Sequence, residues 1–145
     1  MSVLTTQGLS IELPTGWDGR IHLPSPPRAG SLLHAASFAL PATCGDYGAG
    51  AVELMGGSDV LLCLLEHEPE AAATALFRHE ELPRLRIADF SPHAMQRVIP
   101  GMAGSQHFFQ VGGRPFCLYV VLGSTLVIAP LVKLADRVVQ SISVR

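Results

Sequence analysis

The sequence predicts an α+β domain: an antiparallel sheet of about five to seven strands, with a C-terminal amphipathic helix on one face and shorter helices on the other, forming an α/β/α sandwich. Three observations lead to this prediction. Two apolar runs flank Gly112-Gly113, short apolar segments recur between turn residues, and the last segment repeats apolar residues with a helical period. At 145 residues, the chain is expected to form a single domain, residues 1–145.

The first half of the chain predicts four strands. Apolar residues alternate from Leu9 to Leu13 and stop at Pro14-Thr15-Gly16, which indicates a strand and a turn. Residues 20–23 alternate again, and 31–40 form a third candidate strand after a proline-rich loop at 24–30. The apolar run 60–65 is short and lies between glycines and Pro69, which favours a buried strand.

Short helices are predicted around the third and fourth of these strands. Glycine-rich residues 43–50 indicate either a loop or the entry to a short helix at about 51–55. Pro69 opens an alanine-rich segment that runs to about Phe77, and proline is favoured near the first position of a helix. Residues 78–97 are more polar and hold much of the chain's charge.

The segment 106–122 predicts a β-hairpin with a defined register. If Gly112-Gly113 is a two-residue turn, Phe109 lies opposite Phe116, on the same face of the sheet. Pro115 then falls in a non-hydrogen-bonded pair, so its missing N–H points away from the partner strand. Residues 116–122 are apolar at nearly every position, which indicates a central strand covered on both faces.

The C-terminal segment predicts the amphipathic helix. Apolar residues from Ile128 to Ile142 fall on one face, and Lys133, Asp136 and Arg137 fall on the other. Residues 115–132 carry no charge and approach the length of a membrane span. Gly123-Ser-Thr interrupts this run and Pro130 follows, so we expect a strand and then a helix, and no membrane span.

Composition narrows the functional classes. Apolar residues make up 48% and charged residues 15%, which suits a deep core and an apolar docking surface. The net charge of −2 gives no reason to expect nucleic-acid binding. The N-terminus has neither a basic nor an apolar signal region, and the cysteines show no Cys-x-x-Cys pair, so a reduced, cytoplasmic setting is expected.

The two ends of the chain resemble a known superfamily. Residues 8–17, Gly-Leu-Ser-Ile-Glu-Leu-Pro-Thr-Gly-Trp, look like the opening strand and Pro-Gly-Trp turn of PsbP-like and Mog-like domains, and residues 138–144 look like their closing helix and tail. The resemblance implies an α/β/α sandwich and a non-enzymatic role. Members include photosystem accessory subunits, partners of a small GTPase, bacterial lipoproteins and chaperones for secreted effectors.

No motif predicts a metal or cofactor. The six histidines lack i, i+4 or His-Glu-x-x-His spacing, so scattered histidines are the favoured interpretation. The glycines of residues 45–50 are spaced in the reverse order of the dinucleotide fingerprint, which favours a plain loop. Cys44 beside Asp46 is a candidate reactive thiol without an adjacent histidine, and no catalytic residue is assigned.

Four residues are candidates for partner binding: Trp17, Asp18, Arg20 and Tyr47. Trp and Arg concentrate at interface hot spots, although the simpler interpretation is that Trp17 covers the sheet edge beside its turn. Residues 66–97 are a second candidate surface, for which a solvated face is the simpler interpretation.

We therefore expect a non-enzymatic binding or accessory protein that docks a protein partner, within an assembly or as a chaperone-like adaptor. The alternative is a small enzyme or ligand-binding domain that uses the Cys44–Tyr47 loop. Homo-oligomerisation through a sheet edge or helix face is a further expectation.

Overall fold

The structure, a computed structural model, describes residues 1–23, 32–43 and 47–145. Within these residues it contains two antiparallel sheets and one α-helix. The strands are β1 (Ser2–Thr6), β2 (Leu9–Leu13), β3 (Asp18–His22), β4 (Leu32–Ala36), β5 (Val60–Glu66), β6 (Ala103–Val111), β7 (Arg114–Leu122) and β8 (Ser143–Val144), and the helix is α1 (Ile128–Gln140). The larger sheet has the order β3-β4-β5-β7-β6, and the smaller has the order β1-β2-β8. The predicted loop at 24–30 and residues Cys44 and Asp46 lie outside the described residues.

The α+β class and the antiparallel pairing are as predicted, but the strands form two sheets instead of one. The expected set of strands omitted β1, which pairs with β2 through a two-residue turn at Gln7-Gly8. Both turn residues have positive φ, 55° and 74°, as a tight hairpin turn requires. β8 then pairs with the other edge of β2, which completes the small sheet.

The predicted hairpin register is confirmed. Val111 pairs with Arg114, Gln110 with Pro115 and Phe109 with Phe116 across β6 and β7. The carbonyl of Pro115 accepts a bond of 2.8 Å from the backbone N–H of His67. Since N and O of one residue point to the same side of an antiparallel strand, the proline nitrogen points away from β6.

The five-stranded sheet is buried on both faces, as the continuous apolar run in β7 predicts. One face packs against α1 and β2, with Phe109, Phe116 and Leu118 at its centre. The other face carries Leu61, Cys63 and Tyr119 under loops and short 3₁₀ helices, among them Val52–Leu54. β7 lies between β5 and β6, so its backbone is paired on both sides.

The predicted helix at Pro69–Phe77 is two 3₁₀ helices, Pro69–Ala73 and Ala75–Phe77, broken at an extended Thr74. The four alanines of this short segment are too few to stabilise an α-helix without tertiary support. The tertiary contacts of this segment favour two separate 3₁₀ helices. The side-chain amide of Gln110 donates to the carbonyls of Ala72 and Phe77, both at 2.7 Å, one in each 3₁₀ helix.

The uncharged run 115–132 forms most of β7, a turn and the first residues of α1, as predicted. Pro130 is the third residue of α1, where its missing N–H removes no helical bond. Among the described residues, no helix combines the length and the apolar content needed to span a membrane.

Candidate functional site

A row of polar side chains crosses the face of the large sheet that is turned away from α1. The strand registers place Arg20 opposite His34, His34 opposite Cys63, Cys63 opposite Tyr119, and Tyr119 opposite Gln106. Directly opposed residues share a face, so each strand contributes one member to this cross-strand row. His34, Cys63 and Tyr119 are fully buried within an otherwise aliphatic core.

The row is covered by the segment that follows β4. The guanidinium of Arg20 donates to the carbonyls of Pro41 and Ala42 at 2.9 and 3.2 Å, and the carboxylate of Asp18 accepts the backbone N–H of Leu40 at 2.8 Å. Gly48 lies so close to the sheet that an added Cβ would approach the Sγ of Cys63 to 3.3 Å. These contacts hold residues 40–42 and Gly48 against the sheet.

A cavity of about 240 Å³ lies beside the row, between residues 47–53, residues 95–99 and β7. The rings of Tyr47 and Tyr119 meet edge to face with centroids 5.3 Å apart. The hydroxyl oxygen of Tyr119 accepts the backbone N–H of Gln96 at 2.9 Å. Burial raises the pKa of Tyr119, so its hydroxyl keeps its proton at neutral pH.

The four candidate partner-binding residues occupy different places. Asp18 and Arg20 hold the cover through hydrogen bonds, and Tyr47 lines the cavity. Trp17 packs half-buried against the core on the α1 side of the sheet. Its backbone N–H donates to the carbonyl of Pro14 at 3.0 Å and closes the turn. The structure thus separates Trp17 from the other three, and their role in binding a partner stays a prediction.

A second cavity, of about 490 Å³, lies at the outer edge of β6. His79, Arg84, Arg86 and His107 are among the residues that line it. Burial lowers the pKa of His107, an effect that nearby Asp89 partly offsets. Each arginine is paired with a carboxylate of its own, at 3.1 and 3.3 Å, so the described wall carries little unbalanced charge.

The histidines are less scattered than the sequence suggests. The rings of His22 and His34, from neighbouring strands, lie nearly parallel with centroids 6.3 Å apart. Among the described residues, no three His, Cys, Asp or Glu side chains are grouped so that they could hold a metal ion.

Three loops meet at one end of the large sheet, where β5 begins, β7 ends and β6 begins. The N–H of Gly123 donates to the carbonyl of Asp59 at 2.9 Å, and the N–H of Thr125 donates to that of Gly101 at 2.8 Å. These loops expose Leu54, Val98, Leu126 and Val127 by 57, 53, 93 and 45%. We call these four side chains the apolar end surface.

The sequence interpretation missed Tyr119 and the apolar end surface. A lone tyrosine in the aliphatic run of β7 was the available signal, because a buried phenol usually finds a hydrogen-bond partner. Comparison of the chain with protein-family models, with curated proteins and with solved structures yields no match in any of the three.

Proposed function

We propose that the protein is a non-enzymatic accessory or adaptor protein that docks a protein partner through the apolar end surface. The observation that carries the proposal is the exposure of four aliphatic side chains by three loops that are bonded to one another. Isolated exposed apolar residues are common on any protein, whereas a group of them on converging loops is typical of an interaction site.

Charge favours an apolar protein partner over a membrane. The loop segments 54–58, 98–102 and 123–127 carry no ionisable side chain. The adjacent carboxylate of Asp59 is held by the N–H of Gly56 and the hydroxyl of Ser37, at 2.8 and 2.9 Å. Membrane-binding surfaces usually add Lys or Arg for anionic lipids. These segments have none, and the adjacent Arg97 is paired with Glu53 at 3.5 Å.

The layered arrangement is compatible with the resemblance of the chain ends to PsbP-like and Mog-like domains. One layer is α1 with the small sheet, the next is the five-stranded sheet, and loops with 3₁₀ helices cover the far face. An α/β/α sandwich of that superfamily and a cytoplasmic location are part of this proposal. Cys63 and Cys117, both buried as small apolar side chains, suit a reducing compartment.

The proposal is tested by a charge substitution on the surface and a matched one elsewhere. Leu54→Glu and Leu126→Glu alter the apolar end surface, and Leu76→Glu is the control, because Leu54 and Leu76 are both 57% exposed. Proteins captured from a host lysate are compared among the variants, and the affinity of a retained protein is then measured with purified components. Burial of one leucine corresponds to about tenfold or more in Kd.

A partner that binds the wild-type protein and Leu76→Glu alike, but binds Leu126→Glu at least tenfold more weakly, would support the proposal. If the wild-type protein is a dimer and Leu126→Glu is a monomer, the surface binds a second copy of the chain and not a different protein. If the wild-type protein binds to lipid vesicles, the apolar end surface binds a membrane and not a protein partner. Capture that is equal for all variants would refute it.

The alternative of a small enzyme or ligand-binding domain has one supporting observation. Tyr47, at the end of the Cys44–Tyr47 loop, lines the 240 Å³ cavity over Tyr119. Turnover would require a reactive group, and mass spectrometry after treatment with iodoacetamide at pH 7 tests Cys44 for this role. If Cys44 is labelled no faster than free cysteine, the hypothesis that the protein is an enzyme using Cys44 is wrong.

A further inference from the structure

The cavity over Tyr119 combines a largely apolar space with a buried hydroxyl donor. Tyr119 is 1% exposed, yet it lines the cavity, as does Gln96, the residue that its hydroxyl contacts. The hydroxyl oxygen accepts the N–H of Gln96 at 2.9 Å, and no described residue accepts the hydroxyl proton. A buried O–H without an acceptor is unfavourable, so an oxygen atom supplied by a bound molecule would stabilise it.

The other walls define the body of such a molecule. Tyr47, Val52, Met95 and Ile99 present aromatic, aliphatic and thioether surface to the cavity. Methionine adapts to irregular shapes, and an edge-to-face pair such as Tyr47 with Tyr119 can extend to a third ring. The lining therefore matches a flat, largely apolar molecule.

The size of the cavity limits the ligand to one ring. Its volume of about 240 Å³ lies below the roughly 300 Å³ at which sites for drug-sized molecules begin. It exceeds the roughly 150 Å³ in which an engineered protein cavity binds benzene. A substituted single aromatic ring fits between these limits.

The polar residues among the lining explain how the cavity is held open. The carboxylate of Glu53 accepts the N–H of Gly50 at 2.9 Å and pairs with Arg97 at 3.5 Å. This pair connects the two segments that form opposite walls, residues 47–53 and 95–99. Because the arginine and glutamate side chains are 70 and 48% exposed, they lie where a ligand would enter.

We propose that this cavity binds a small aromatic molecule bearing one carbonyl or carboxylate oxygen, which accepts the hydroxyl proton of Tyr119. This proposal does not rest on the docking function proposed above, and its test measures ligand binding on the protein alone. The two sites are neighbours, because the 95–99 wall of the cavity also carries Val98 of the apolar end surface. The hydroxyl selects the acceptor oxygen, and the apolar walls select the ring.

The test compares acetophenone, benzoate and cumene, which resemble one another in shape but differ in their acceptor oxygens. Titration is followed by amide chemical shifts in the wild-type protein and in Tyr119→Phe, which keeps the ring and removes the hydroxyl. We expect acetophenone or benzoate to bind about tenfold more tightly than cumene, with shifts centred on Tyr47 and Gln96. Tyr119→Phe should abolish this preference, and Arg86→Met, at the other cavity, should retain it.

Preference for the neutral ketone over benzoate would assign the site to carbonyl compounds, and the reverse preference would assign it to carboxylates. If cumene binds as tightly as both oxygen-bearing probes, or if the preference survives in folded Tyr119→Phe, the proposal is wrong. Absence of shifts at millimolar concentrations of all three probes would also overturn it. Dispersed amide spectra verify that each variant is folded.

Discussion

Arg114 should be the most important polar side chain for stability, because it joins the two sheets. Its guanidinium donates to both carboxylate oxygens of Glu66 at 2.8 Å, and to the carbonyls of Arg145 and Gln7 at 3.0 and 3.1 Å. It also lies 5.5 Å from the centroid of the Phe116 ring. Arg114→Met keeps an unbranched apolar side chain like the stem of arginine and removes all four hydrogen bonds.

The burial of the ion pair sets the magnitude. Breaking a fully buried pair costs about 3–5 kcal/mol, whereas an exposed pair contributes about 0–1 kcal/mol. The Arg114 and Glu66 side chains are 20 and 15% exposed, closer to the buried case. We expect Arg114→Met to lower the free energy of unfolding by about 3 kcal/mol, which corresponds to roughly 6–12 °C in Tm for a protein of this size.

The measurement is urea-induced unfolding at pH 7, followed by far-UV circular dichroism and by the fluorescence of Trp17, the single tryptophan of the chain. Arg86→Met is the matched control: Arg86 pairs with Asp89 at 3.3 Å, but its side chain is 75% exposed. That variant should lose no more than about 1 kcal/mol. Equal losses in the two variants would refute the role of Arg114 in joining the sheets.

Three further predictions concern the core and the titratable groups. Burial raises the pKa of the Cys117 thiol to about 12, so at pH 8 a thiol reagent should modify it only as fast as the protein unfolds, and immediate labelling would contradict this. The folded protein holds the pKa of His107 below 6.5 through burial, so the unfolded chain takes up the proton first as the pH falls. The free energy of unfolding should therefore decrease below about pH 6.5, and His107→Gln should flatten this decrease between pH 7 and 5; an unchanged slope would exclude His107 as its source. Phe109→Ala should cost about 3–5 kcal/mol because Phe109 is fully buried, whereas Phe108→Ala should cost less because Phe108 is half-buried, and chemical denaturation of both variants checks that order.

The β6–β7 hairpin could be predicted in detail because its determinants are local. Gly112 and Gly113 have φ of 60° and 79°, which suits glycine, and a two-residue turn leaves one register for the flanking strands. The pairing of Phe109 with Phe116, with ring centroids 5.7 Å apart, follows from that register. Helix α1 was predictable for a similar reason, since its apolar period is contained in thirteen consecutive residues.

The candidate sites could not be predicted in this way. The cross-strand row depends on the register of β4 with β5 and of β5 with β7. These strands are far apart in the chain, so no local pattern fixes their register. The apolar end surface likewise requires three loops to meet, and no local pattern distinguishes Leu126 from a core leucine. Trp17 and Tyr47 attract attention in the sequence, but the sheet places them on opposite faces.

The amino-acid sequence by itself determined the α+β class, the β6–β7 register and the C-terminal helix, because periodicity and turn residues act over a few neighbouring positions. The tertiary structure decided that the strands divide into two sheets, that the alanine-rich segment forms 3₁₀ turns, and that Tyr119 faces a cavity. The physical reason is that these features depend on hydrogen bonds between distant residues. The amide of Gln110, which donates to the carbonyls of Ala72 and Phe77, is an example, since neither segment alone shows the requirement.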